Sequence, residues 1–86
     1  MNIRIDTEAR ALYVEFRHDK VARTVEFAPE TFVDLDARGR LLGVEVLNPG
    51  TLEIQIQRIA KKYTLPGIGN RHVRAELRRA KELLAA

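Results

Sequence analysis

Neither cysteine nor serine occurs in this 86-residue chain, tryptophan is absent, and aromatic residues make up only 6% of it. Without cysteine there is no disulfide and no thiolate metal site. Without serine or cysteine the common hydroxyl and thiol nucleophiles are gone, leaving threonines and tyrosines with no basic neighbour evident in sequence. Only two histidines are present, His18 in a polar turn and His72 at a helix start. Neither has a second histidine at ligand spacing, so zinc is not expected, and no other cofactor is implied. Long apolar runs are missing as well: nothing approaches the roughly 20 residues a membrane-spanning helix needs. The opening Met1-Asn2-Ile3-Arg4-Ile5-Asp6 brings in an acid too early for a secretory leader. The expectation is a cytoplasmic, non-enzymatic protein.

What is present is the composition of a folded domain, 45% hydrophobic and 31% charged. A chain this short builds one core, and its size favours extra burial through self-association, so a homodimer is expected. The net charge of +3 is unevenly spread. Residues 1–50 carry seven basic and nine acidic side chains, a net −2. Residues 51–86 carry eight basic and three acidic ones, a net +5. Such an asymmetry points to an acidic partner for the second half or to contact between the halves.

Residues 1–47 read in period two. Ile3 and Ile5, then Leu12, Val14 and Phe16, then Val25 and Phe27, then Val33 and Leu35, then Leu42, Val44 and Val46 alternate with mostly polar neighbours. Short polar breaks separate them, including Asp36-Ala37-Arg38-Gly39-Arg40, whose glycine stands where a short hairpin loop requires positive φ. Five strands in an antiparallel β-meander are predicted. Past Asn48-Pro49-Gly50 the period changes. Thr51 can cap a helix over 51–63 with Leu52, Ile56, Ile59, Ala60 and Tyr63 on one face. Leu52, Ile54 and Ile56 also alternate as a sixth strand would, but Arg58-Ile59-Ala60-Lys61-Lys62-Tyr63 fits only a helix. A loop at Leu65-Pro66-Gly67-Ile68-Gly69 and a cap at Asn70 precede a second helix over 70–85, seamed by Val73, Leu77, Ala80 and Leu84. The prediction is a single α+β domain over residues 1–86, a sheet followed by two helices.

One stretch of the first half is specific. Asp6-x-Glu8-Ala9-x-Ala11-Leu12-Tyr13-Val14, Thr24-Val25-Glu26 and Val33-Asp34-Leu35-Asp36-x-x-Gly39-Arg40-Leu41-Leu42-Gly43-Val44-Glu45-Val46-Leu47 together form a pattern. Over about residues 1–48 it resembles the small prokaryotic family called domain of unknown function 2283. Arg10 departs from that pattern, which usually has an acid there. The resemblance implies a compact β-rich domain and carries no established activity, ligand or partner. It also implies that Asp34, Asp36, Gly39 and Gly43 serve turn and strand geometry.

Three groups of residues are candidates for chemistry or binding. Asp34 and Asp36 lie two apart and are expected on one sheet face with Glu15, Glu26 and Glu45. Such a cluster holds a hard cation through oxygen ligands, supplies an acid–base pair, or is a solvated face paired with Arg4 and Arg17. Gly67-Ile68-Gly69-Asn70 ahead of Arg71 and His72 is a short glycine motif at a helix start, without the preceding strand a nucleotide fingerprint requires. Arg71, Arg74, Arg78 and Lys81 form a basic stripe that either follows nucleic-acid phosphates weakly and without sequence preference or is a solvated helix face. Tyr13 is the one sheet aromatic suited to stacking a base. Tyr13, Phe32, Leu41 and Leu47 fall out of phase with the core. One arrangement uses all of these: the last helix docks by the carboxylate face, in its own chain or a partner's, its basic residues at the rim and its seam on the out-of-phase apolar residues.

Overall fold

The computed structural model describes residues 2–47, 50, 52–63, 75, 78–80 and 82. Five strands, β1 (Asn2–Asp6), β2 (Ala11–Glu15), β3 (Arg23–Ala28), β4 (Thr31–Leu35) and β5 (Leu41–Val46), precede a helix α1 (Leu52–Tyr63). Residues 75, 78–80 and 82 are helical too, inside the segment where the second helix is predicted. The expected cap at Thr51, the loop at 65–70 and the remainder of that helix lie outside the described residues.

The α+β class follows from the two hydrophobic periods. On β2 and β4 every second side chain is buried, Leu12 and Val14 on one, Thr31, Val33 and Leu35 on the other. On α1 the buried positions are Leu52, Gln55, Ile56, Ile59 and Ala60, the spacing of one helical face. Ile54 settles the rival reading of a sixth strand. In a strand it would share a face with Leu52 and Ile56, whereas it is 61% exposed and they are buried.

All pairings are antiparallel, but the strand order is β1-β2-β5-β4-β3. A continuous meander would follow chain order. Here β1–β2 and β3–β4–β5 do so, but the connection from β2 runs to the far edge, so that β5 closes against β2. Read backwards, β5, β4, β3 and β2 have the order of a Greek key. Burial gives the reason. Strand β5 is apolar on both phases (Leu41, Leu42, Val44, Val46) and is buried almost throughout, which suits the centre of the sheet. Strand β3 exposes Arg23, Thr24, Val25 and Glu26 in succession and suits an edge.

Turns are set by identifiable residues. Asp6 Oδ1 accepts from the backbone N–H groups of Glu8 and Ala9, both at 3.0 Å, bending the chain out of β1. Arg10, the position that departs from the family pattern, has φ 53°, a conformation in which aspartate or asparagine is better tolerated. Pro29 followed by Glu30 at φ 61° matches a type II turn between β3 and β4. Between β4 and β5, Gly39 N donates to Asp36 O (3.0 Å) and Asp36 N to Arg40 O (3.0 Å). Gly39 has φ 80°, closing the three-residue loop that its position in the sequence predicts.

Two bulges adjust the phase. On β3 the register slips between Glu26 and Ala28, leaving Phe27 as the extra residue. On β5 the partner changes from Gly43 to Leu41 while β4 moves only from Asp34 to Leu35, leaving Leu42 extra. That slip corrects the reading of Leu41 as out of phase. It pairs with Leu35 and is 3% exposed in the core. The core gathers Leu12, Val14, Val33, Leu35, Leu41, Val44 and Val46 from one sheet face against Leu52, Ile56 and Ile59 of α1. Each such side chain contributes about 1.5–3 kcal/mol when fully buried. Ala80, 4% exposed, belongs to the same cluster. The C-terminal helical segment therefore meets the core on the α1 side. Ala80 of the predicted seam thus lies with the larger apolar surface and not on the carboxylate face of its own sheet; Val73, Leu77 and Leu84 lie outside the described residues.

Candidate functional site: the open face of the sheet

The opposite sheet face carries two rows of side chains, abreast across all five strands. One row is Arg4, Tyr13, Glu45, Phe32 and Glu26; the next is Asn2, Glu15, Gly43, Asp34 and Thr24. Glu15, Glu26, Asp34 and Glu45 share this face as the period-two reading predicts.

Its centre is Asp34. The Tyr13 hydroxyl donates to Asp34 Oδ2 at 2.7 Å, and the Thr24 hydroxyl donates to Asp34 Oδ1 at 2.6 Å. Because β5 lies between β2 and β4, the Tyr13 side chain must cross it, and it does so over Gly43. A Cβ at position 43 would run into the Tyr13 ring and hydroxyl. The bare glycine thus permits a link across four strands, β2 over β5 to β4 and on to β3. Burial, donation to Asp34 and the charge of that carboxylate push the Tyr13 phenol well above its ordinary range. Arg4 lies over the Tyr13 ring at 4.8 Å and 3.9 Å from Glu15, whose Oε2 is also 3.3 Å from His18 Nδ1.

Asp36 does not belong to this group, which corrects the expected carboxylate cluster of Asp34, Asp36 and Glu45. Strand β4 ends at Leu35, and the Asp36 carboxylate turns into the hairpin loop. There its Oδ1 accepts from the N–H groups of Arg38 (2.9 Å) and Arg40 (2.8 Å), and its Oδ2 from Arg40 Nε (2.7 Å). Burial alone would raise its pKa. The Arg40 amide and guanidinium and the Arg38 amide outweigh it, so the carboxyl sits below its ordinary value. Glu45 and Asp34 remain diagonal neighbours on the open face, about 7–8 Å apart in such a register. Among the described residues no group of three or more histidines and carboxylates is placed to hold a metal.

Of the basic stripe, Arg78 is exposed, and so is its neighbour Arg79; Arg71, Arg74 and Lys81 lie outside the described residues, as do His72 and the 67–70 glycine motif. Tyr13 is a poor base-stacking platform, since Arg4 covers one side of its ring. The role of Thr24 and the crossing of Gly43 by Tyr13 were not read from the sequence. An isolated glycine inside a strand pattern signals such an approach, but the strand order was needed to find the aromatic.

Each Asp34 oxygen thus accepts one hydroxyl and the Tyr13 phenol stays protonated, so Tyr13, Thr24 and Asp34 are tied to one another on this face. No helix among the described residues is long and apolar enough to cross a membrane. No curated protein and no solved structure matches the chain. Comparison with known families matches residues 2–48, more than half of the chain, to a family described as "Protein of unknown function (DUF2283)". The match covers every strand of the sheet and the residues of the Tyr13, Gly43 and Asp34 link, and the chain belongs to this DUF2283 family.

Proposed function

We propose that the chain is a non-enzymatic interaction module that associates with itself. The observation that carries this is the set of large apolar side chains left in solvent: Val21 (45% exposed), Val25 (39%), Leu47 (39%) and Ile54 (61%). In a domain with one small core, a second copy supplies burial that the chain cannot supply alone. The tied open face supports the same reading. It is rigid, polar and aromatic, and its side chains are committed to holding one another. Sedimentation of the full chain across a wide concentration range tests it. A dimer at micromolar concentration is expected.

A second reading, weak nucleic-acid binding without sequence preference, has one observation in its favour. Arg78 and Arg79 are exposed and make no ion pair among the described residues, while the adjacent Ala80 is buried. A helix docked by its apolar side presents such arginines outward, where they meet phosphates. Fluorescence anisotropy at two salt concentrations checks it. Binding should weaken steeply with salt, and tight binding to one sequence that survives high salt would contradict it.

A further inference from the structure

Resting on the self-association reading, we infer that two copies pair through strand β3, antiparallel about a twofold axis at Val25, extending one sheet across both. Strand β3 is an edge, with no strand beyond it among the described residues. Among the described residues, one side of its backbone is therefore free to add a strand. Its side chains also mark it as unfinished. Val25 faces the core and pairs with Val33, yet it is 39% exposed while Val33 is fully buried. The apolar layer runs out to the edge and stops uncovered.

The other edge is different. On β1, Ile3 and Ile5 are partly buried against the core. Arg4 is taken up by Tyr13 and Glu15, and Asp6 by its own turn. Arg23 and Glu26 of β3 make no ion pair among the described residues.

The register follows from the side chains. A twofold pairing must set core-facing residues against core-facing residues, because a slip of one residue would turn the apolar set outward. Centring on Val25 places Val25 against its own copy and Thr24 against Glu26 of the other chain. Centring on Arg23 or Glu26 sets like charges directly opposite, which is destabilising. Centring on Thr24 puts Val25 against Arg23 and forfeits the apolar pair. The bulge at Phe27 ends the regular stretch on one side, so the contact is short.

The test uses the full chain and its lack of cysteine. In Val25→Cys the only thiol stands on the proposed axis; in Ile54→Cys the only thiol stands on α1, away from it and at a more exposed position. Under mild oxidation Val25→Cys should form a covalent dimer, and Ile54→Cys should not. Independently, Val25→Lys should weaken the dimer about tenfold or more in sedimentation, with an unchanged circular dichroism spectrum. A wild-type chain that stays monomeric would overturn self-association and this inference together. A wild-type dimer with no preferential cross-link at position 25 and unaltered association in Val25→Lys would overturn the β3 interface alone.

Discussion

Tyr13 lies across Gly43, and the hydroxyl that passes over the glycine donates to Asp34 at 2.7 Å. Two residues from strands that are distant in sequence thereby fix each other's identity. The glycine is there because the ring needs its space, and the ring crosses because the carboxylate lies one strand further on.

Gly43→Ala should therefore destabilise the domain by about 1–3 kcal/mol, the usual cost of forcing a side chain into filled space. The cost should fall sharply in a Tyr13→Ala background, where the obstacle is gone. A double-mutant cycle from urea denaturation gives the coupling directly. Additive effects would mean that position 43 is constrained by something other than the ring.

Tyr13→Phe deletes the hydrogen bond to a charged carboxylate and leaves the ring, so it should cost about 1.5–3 kcal/mol. The raised phenol pKa fixes the sign of the pH effect. The contribution is fully present below the unfolded-state value of about 10 and is lost as pH rises through the higher folded-state value. In a Tyr63→Phe chain, where Tyr13 is the sole tyrosine, ultraviolet titration should place ionisation above the ordinary phenol range. Adding Asp34→Asn should bring it down.

Asp36 gives the opposite pH dependence. Its folded-state pKa is depressed, so its contribution is present above the unfolded value of about 3.9 and is lost as pH falls through the lower folded-state value. Asp36→Asn cannot accept from both Arg40 and the loop amides on both of its atoms. It should be less stable than wild type at neutral pH, and the difference should close in acid. Melting curves from pH 7 down to about pH 3 follow it.

Much of the fold could be read from periodicity, because alternation on β2 and β4 and the 52/56/59/60 spacing of α1 are direct consequences of burial. The strand order could not. It depends on which strand is buried on both faces, and Leu41, out of phase by the count, reaches the core only through the bulge at Leu42. Asp36 departs from the count for a related reason. Counting by twos carries it onto the open face, but β4 stops one residue earlier and the loop amides claim its carboxylate. Asp34 and Glu45 lay where the count put them, whereas their neighbours Thr24 and Tyr13 depended on pairings between strands far apart in sequence.

The C-terminal segment makes a separate prediction. Ala80 is buried with Leu52, Ile56 and Ile59, while Arg78 and Arg79 face solvent. Ala80→Asp should cost more than about 2 kcal/mol, since it buries an unpaired charge. Arg78→Ala and Arg79→Ala should each stay within about 0.5 kcal/mol of wild type. Thermal melts of the three variants suffice. Equal effects would detach the segment from the core.

The most direct test of the account is the mass of the full, untagged chain in solution. Sedimentation equilibrium from sub-micromolar to high-micromolar concentration should show a species of twice the 9.8 kDa chain mass that dissociates on dilution. A single 9.8 kDa species across that whole range would contradict it.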